Sequence, residues 1–177
     1  MKIVVIIAAV LAVAVLAVLG YAATRPDTFR LERSIVINAP PEKIFAQIED
    51  FQAWRAWSPY ENLDPGLKRT YGGPPRGEGA VYEWAGDAKA GAGRMEITQA
   101  TSPAKVLIKL DFSKPFVAHN VAEFSLAPAA GGTKVTWAMS GPSPFMSKLM
   151  GLFFNMDTLI GKDFETGLAS LKALCER

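Results

Sequence analysis

The chain has 177 residues, room for one domain and an appendage, and half of them are hydrophobic. Nineteen Lys and Arg stand against seventeen Asp and Glu, and the longest basic run is Lys68-Arg69, so no basic stripe of the kind nucleic acid requires is present. A single cysteine, Cys175, and a single histidine, His119, exclude an internal disulfide framework and leave too few ligands for a zinc or iron site.

The apolar excess sits at the front. Ile3 to Ala23, "IVVIIAAVLAVAVLAVLGYAA", carries no charge and shows no polar stripe. At ~1.5 Å rise per residue it spans ~30 Å as a helix, the hydrocarbon thickness of a bilayer. Gly20-Tyr21-Ala22 resembles a small-x-small cleavage site, so a removed signal peptide is one reading. The run exceeds the ~7–15 residues of a usual signal core, which favours a retained single-pass anchor over residues 1–24. Residues 25–29 read as a linker, and 30–177 as the folded domain. Arg25, Arg30 and Arg33 argue for a cytoplasmic domain by the positive-inside rule, although Asp27 and Glu32 accompany them. The signal-like start behind Lys2 argues for export, and the balance leans to an extracytoplasmic domain.

Arg30–Asn38 alternates and predicts a first strand. "APPEKIFAQIEDFQAW" then starts a helix: Pro40-Pro41 suits a first turn, Glu42 favours its positive end, and Ile44, Phe45 and Ile48 form one face. A second short helix carries Trp54 until Pro59 stops it.

From Lys68 to Ser140 the pattern changes to β-like runs separated by turn-rich segments such as "GGPPRGEG", "GDAKAGAG" and "APAAGG". Period-two alternation assigns the faces. Tyr82, Trp84, Met95, Ile97, Leu110, Phe112, Phe116, Asn120, Phe124, Trp137 and Met139 share an apolar face, with Asn120 its one clearly polar member. Glu83, Glu96, Lys109, Asp111, His119 and Glu123 share the other. Runs joined by short turns pair as an antiparallel meander with one greasy side. From Pro144 to the end, apolar residues at spacings of three and four predict one long amphipathic helix to cover that side, interrupted by Gly151, Gly161 and Gly167. Met146, Met150 and Phe154 make a second apolar line on it. The class is α+β.

Catalytic candidates are sparse. His119 falls on the polar face, no GxSxG elbow is present, and Cys175 reads as an inert packing thiol. Glu83, Glu96, Asp111 and Glu123 could pair for acid–base work, but Lys109 lies on the same face and solvated cross-strand pairing is the favoured explanation. "GAGRME" lacks the third glycine and the strand–helix setting of a nucleotide loop. No catalytic residue and no cofactor is implied.

"NAPPEKIFAQIEDFQAWRAWSPY", "DPGLKRTYGGP", "GEGAVYEW", "GAGRMEIT", "KPF", "GGTKVTW" and "GKDFETGLASLK", in that order, resemble the SRPBCC superfamily, more narrowly its polyketide cyclase/START-like bacterial branch. The likeness runs from Phe29 to the C-terminus. It implies a helix-grip fold, a curved sheet around a long helix, with a cavity for hydrophobic molecules lined by the apolar face named above. It places Trp54, Trp57 and Tyr60 at the cavity rim, where they would also face a membrane; a packed corner of the core is the alternative for the same residues. Superfamily members include carriers and enzymes, so three roles stay open: non-catalytic binding of a lipid or other hydrophobic small molecule, cyclase-like catalysis in the same cavity, or an envelope module that binds another protein.

Overall fold

From Lys68 onward, Gly- and Pro-rich turns cut the chain into short alternating runs, and each run pairs with the next. The computed structural model describes residues 2–153 and 155–177. In chain order the elements are α1 (Lys2–Ala23), β1 (Thr28–Ile37), α2 (Pro41–Ile48), two 3-10 turns (Ala53–Ala56 and Pro59–Asn62), and β2 (Lys68–Gly72). Then follow β3 (Val81–Ala85), β4 (Ala92–Thr101), β5 (Lys105–Lys114), β6 (Ala118–Ala129), β7 (Gly132–Pro142), α3 (Phe145–Met150) and α4 (Met156–Cys175). Two compact units result. One comprises Met1–Phe29 with Pro142–Met156; the other comprises Arg30–Gly141 with Asp157–Arg177.

The larger unit is the seven-stranded sheet, ordered β1-β7-β6-β5-β4-β3-β2, with α2 and α4. Strands β2 to β7 form an antiparallel meander, and β1 joins it at the β7 edge. This is the α+β helix-grip arrangement. Ile44, Phe45 and Ile48 of α2 are buried, as are Phe164, Leu168 and Leu171 of α4. Alternation on β1 turns Arg33 towards α4, where its guanidinium donates to Asp157 (3.0 Å) and Glu165 (2.8 Å). A side chain at Gly161 would strike that guanidinium, so the glycine is where Arg33 lies across the helix. Gly167 plays the same part against Trp137, whose ring would sit 2.8 Å from an added Cβ.

On the outer face the charged residues pair across strands. Glu83, Arg94, Asp111 and His119 stand in register on four neighbouring strands. Arg94 reaches Glu83 at 3.6 Å, and His119 Nδ1 meets Asp111 at 2.7 Å. That hydrogen bond, with help from Lys109, holds the Asp111 carboxyl below the usual range. Cross-strand pairing accounts for these groups, and Lys105 completes it by meeting Glu123 at 3.3 Å.

The smaller unit holds α1 and α3. All but one of the 22 residues of α1 are unburied, Ala22 being the exception.

Two expectations are corrected. The C-terminal helix is not continuous from Pro144: α3 ends at Gly151, and α4 begins anew at Met156. Leu159, in the first turn of α4, is exposed. Phe154 and the side chain of Met156 lie outside the described residues. Phe116 is not on the sheet, because β5 stops at Lys114 and β6 starts at Ala118; Phe116 and Val117 stand 75% and 73% exposed at the hairpin tip.

Candidate functional site

Register turns the apolar face into rows that cross the sheet. One row is Val106, Phe124 and Trp137; the next is Ile97, Ile108, Ala122 and Met139. A third runs Tyr71, Tyr82, Met95, Leu110 and Asn120, and a fourth Trp84, Gly93, Phe112 and Ala118. The first two rows are buried, except for Ala100, the β4 residue paired with Val106, which is half-buried. In the third only Tyr71 is half-buried, but in the fourth Trp84, Gly93, Phe112 and Ala118 all are. Burial therefore falls steadily along the grip, from a closed end at Trp137 to a more open end at Trp84 and Phe112.

The closed end is plugged by aromatic rings. Phe164 of α4 stacks on Trp137 at 4.0 Å, and Phe124 stacks on the same tryptophan at 4.9 Å. Trp54 and Trp57, brought in by the 3-10 turn, pack edge-on against both Phe124 and Trp137. Their indole N–H groups donate to the carbonyls of Ile48 (3.0 Å) and Gln47 (3.2 Å). At 4% and 3% exposure, neither tryptophan is an accessible rim or a membrane-facing edge; they are the packed corner. Edge-to-face aromatic packing together with satisfied indole donors explains why burial wins. Tyr60 is half-buried against Trp137, and burial reinforced by the charge of Asp163 pushes its phenol well up.

At the open end Trp84 meets Phe112 edge-on at 5.6 Å and donates its indole N–H to Ala90. Gly93 lies beneath that indole, where any side chain would collide with the ring and with the Asp111 carbonyl. Asn120, 9% exposed, has its amide nitrogen 3.9 Å from the Met139 sulfur, a weak acceptor. Trp137 Nε1, Tyr71 Oη and Ser58 Oγ are buried with no hydrogen-bond partner among the described residues. An apolar interior therefore carries a few polar atoms with unspent capacity.

Beside the third row lies a cluster the sequence did not disclose. Glu61, 6% exposed, accepts from Arg69 Nε at 2.5 Å and from the Tyr82 hydroxyl at 2.7 Å. Arg69 also donates to the carbonyls of Glu61 and Leu67. Burial first, then the hydrogen bond to Glu61, holds the Tyr82 phenol far above the usual tyrosine range; Tyr71, stacked on Tyr82 at 5.2 Å, is raised by burial first and then by the negative charge of Glu61, to which it makes no hydrogen bond. The one available signal was Arg69 at an inward parity on β2. Among the described residues, no group of three or more His, Cys, Asp and Glu could hold a metal ion.

Residues 28–176 match the family model described as polyketide cyclase/dehydrase and lipid transport. The chain belongs to this family. The SRPBCC assignment thus stands on the match and on the grip itself. A search of curated proteins finds no match. Among solved structures the chain is similar to a protein from Chromobacterium violaceum, with 18% identity and a TM-score of 0.59 over 86% of this chain and 99% of that one. It is similar to the Aha1 dimer of Colwellia psychrerythraea at 18% identity and a TM-score of 0.55, covering 84% and 96%. The di-domain ARO/CYC BexL from the BE-7585A biosynthetic pathway aligns at 15% identity and a TM-score of 0.62, covering 89% of this chain and 53% of that one. At such identities these likenesses carry the fold.

Proposed function

We propose that this family member is a single-pass membrane protein whose helix-grip domain binds a hydrophobic small molecule or lipid without turning it over. The observation that carries the reading is the burial gradient: an apolar inner face shut by rings at Trp137 and loosening towards Trp84, Phe112 and Ala118. A hydrophobic guest would lie against the third and fourth rows. Tyr82, Trp84, Met95, Leu110, Phe112 and Asn120 are its proposed contacts, with Ile97, Phe124, Trp137 and Met139 as the floor behind them. Desolvating such surface is worth ~25 cal/mol per Å², and the Asn120 amide offers orientation. The family's description, which includes lipid transport, supports this class of ligand. The long uncharged run of α1 supports retention in the membrane.

The test is uptake. Full chain in nanodiscs is expected to bind a fluorescent acyl lipid, or to release copurified apolar mass in native mass spectrometry. Ala118→Trp, which fills the open end, is expected to abolish uptake with little change in melting temperature. A wild-type chain that is reproducibly empty and takes up nothing would end the proposal.

A cyclase-like reading has one observation in its favour, the buried Glu61–Arg69–Tyr82 cluster next to the inner face. Both carboxylate oxygens are engaged there, which makes Glu61 a poor proton carrier and supports the non-catalytic reading.

A further inference from the structure

The smaller unit presents an apolar surface that a spanning helix does not require. After β7 the chain returns to the end of the anchor: the Ser143 N–H donates to the Asp27 carbonyl at 2.6 Å, and Lys148 Nζ donates to the Asp27 carboxylate at 2.5 Å. The Lys148 side chain is largely covered, and its ammonium holds the Asp27 carboxyl below the usual range. Asp27 stands four positions beyond Ala23, where α1 ends (27 − 23). Four extended residues reach at most ~13 Å. The Lys148–Asp27 tie therefore keeps α3 close to the point where the apolar run stops.

Its two sides differ. Lys148, Leu149 and Leu152 are half-buried, whereas Met146, Met150 and Phe153, at spacings of four and three, make one stripe that is 64%, 47% and 70% exposed. A stripe of flexible thioethers and a phenyl ring at bilayer-surface level suits the acyl–headgroup boundary.

We propose that α3 and the turn after it form an interfacial foot, which lies on the bilayer surface and sinks the Met146–Met150–Phe153 stripe among the upper acyl carbons. The foot rests on the reading of α1 as a retained anchor. It gives the protein a second hold on the lipid, fixing how the tethered chain leaves the membrane.

The test uses the full chain in phosphatidylcholine nanodiscs doped with a lipid spin-labelled near its glycerol end. An environment-sensitive fluorophore is placed on Met146→Cys, on Phe153→Cys and, as the control, on Gln99→Cys, an exposed position on β4; Cys175 is buried. Loss of most of the emission at 146 and 153, with little loss at 99, is the expected result. Equal quenching at all three positions, or none at 146 and 153, overturns the foot. A parallel alkaline carbonate wash separates the two readings: release of the chain from membranes overturns the anchor and the foot together, whereas retention without quenching overturns the foot alone.

Discussion

Phe164 lies flat on Trp137, ring centroids 4.0 Å apart and planes 5° from parallel. Phe164 is 2% exposed and comes from α4; Trp137 is 3% exposed and comes from the middle of β7. The pair is the pin by which the helix is held to the sheet, and Gly167, one turn on, permits the approach. Phe164→Ala is expected to lower stability by ~3–5 kcal/mol, the usual cost of deleting a buried phenyl group. Thermal unfolding followed by tryptophan emission checks this, and a change under 1 kcal/mol (about a third of the low end) would mean that the helix is held elsewhere.

Gly161 and Arg33 form a second contact between α4 and the sheet, and they compete for one space. A methyl group at 161 strikes the guanidinium that bridges Asp157 and Glu165. In an Arg33→Ala background, Gly161→Ala should show the ordinary helix gain of ~0.5–1 kcal/mol. With Arg33 present, the methyl displaces the clamp and the gain should vanish or reverse. A double-mutant cycle on melting temperature reads the difference; equal effects in both backgrounds would show that the clamp does not matter.

Most of the sheet was legible because alternation survives wherever both neighbours of a strand are present. Met95, Leu110 and Phe124 take the faces that parity assigned. Parity fails where a strand ends, and so Phe116, two residues beyond Lys114, was placed inward although it is exposed. The break between α3 and α4 was hidden because the three-and-four spacing of apolar residues continues across it. Trp54 and Trp57 could serve a rim or a corner by type alone; their indole acceptors, the carbonyls of Ile48 and Gln47, are supplied by the C-terminal end of α2 and are invisible in a string of letters. Glu61 escaped notice because it sits in a 3-10 turn, which has no period-two face, and its partner is eight residues away.

Alkaline sensitivity follows from the tyrosines. Tyr60, Tyr71 and Tyr82, three of the four in the chain, are all raised by burial, with carboxylate neighbours adding to it. A phenol that keeps its proton when folded and loses it near pH ~10 when unfolded stabilises the fold fully below that pH; stability then falls as pH rises above it. Melting temperature should therefore hold up to pH ~10 and decline beyond. Tyrosinate absorbance from these three should appear together with unfolding. Smooth ionisation of all the tyrosines near pH ~10 in the folded chain would contradict this.

The Glu61–Arg69 pair makes the sharpest prediction, because a buried ion pair behaves differently when halved than when removed. Arg69 is mostly covered and Glu61 almost wholly so, with side-chain exposures of 19% and 4%. Glu61→Ala strands the guanidinium and leaves the Tyr82 hydroxyl without its acceptor, at an expected cost of ~3–5 kcal/mol. Arg69→Met alone should cost a similar amount by stranding the carboxylate. Glu61→Leu combined with Arg69→Met removes both charges and should restore a large part of the loss, since apolar packing of like volume commonly matches a buried pair. Additive losses in the double variant would show that each residue acts alone. Glu61→Gln keeps an acceptor for Tyr82 and, well below its melting temperature, should still take up lipid; loss of a chemical turnover in that variant, with folding intact, would instead make the cluster catalytic.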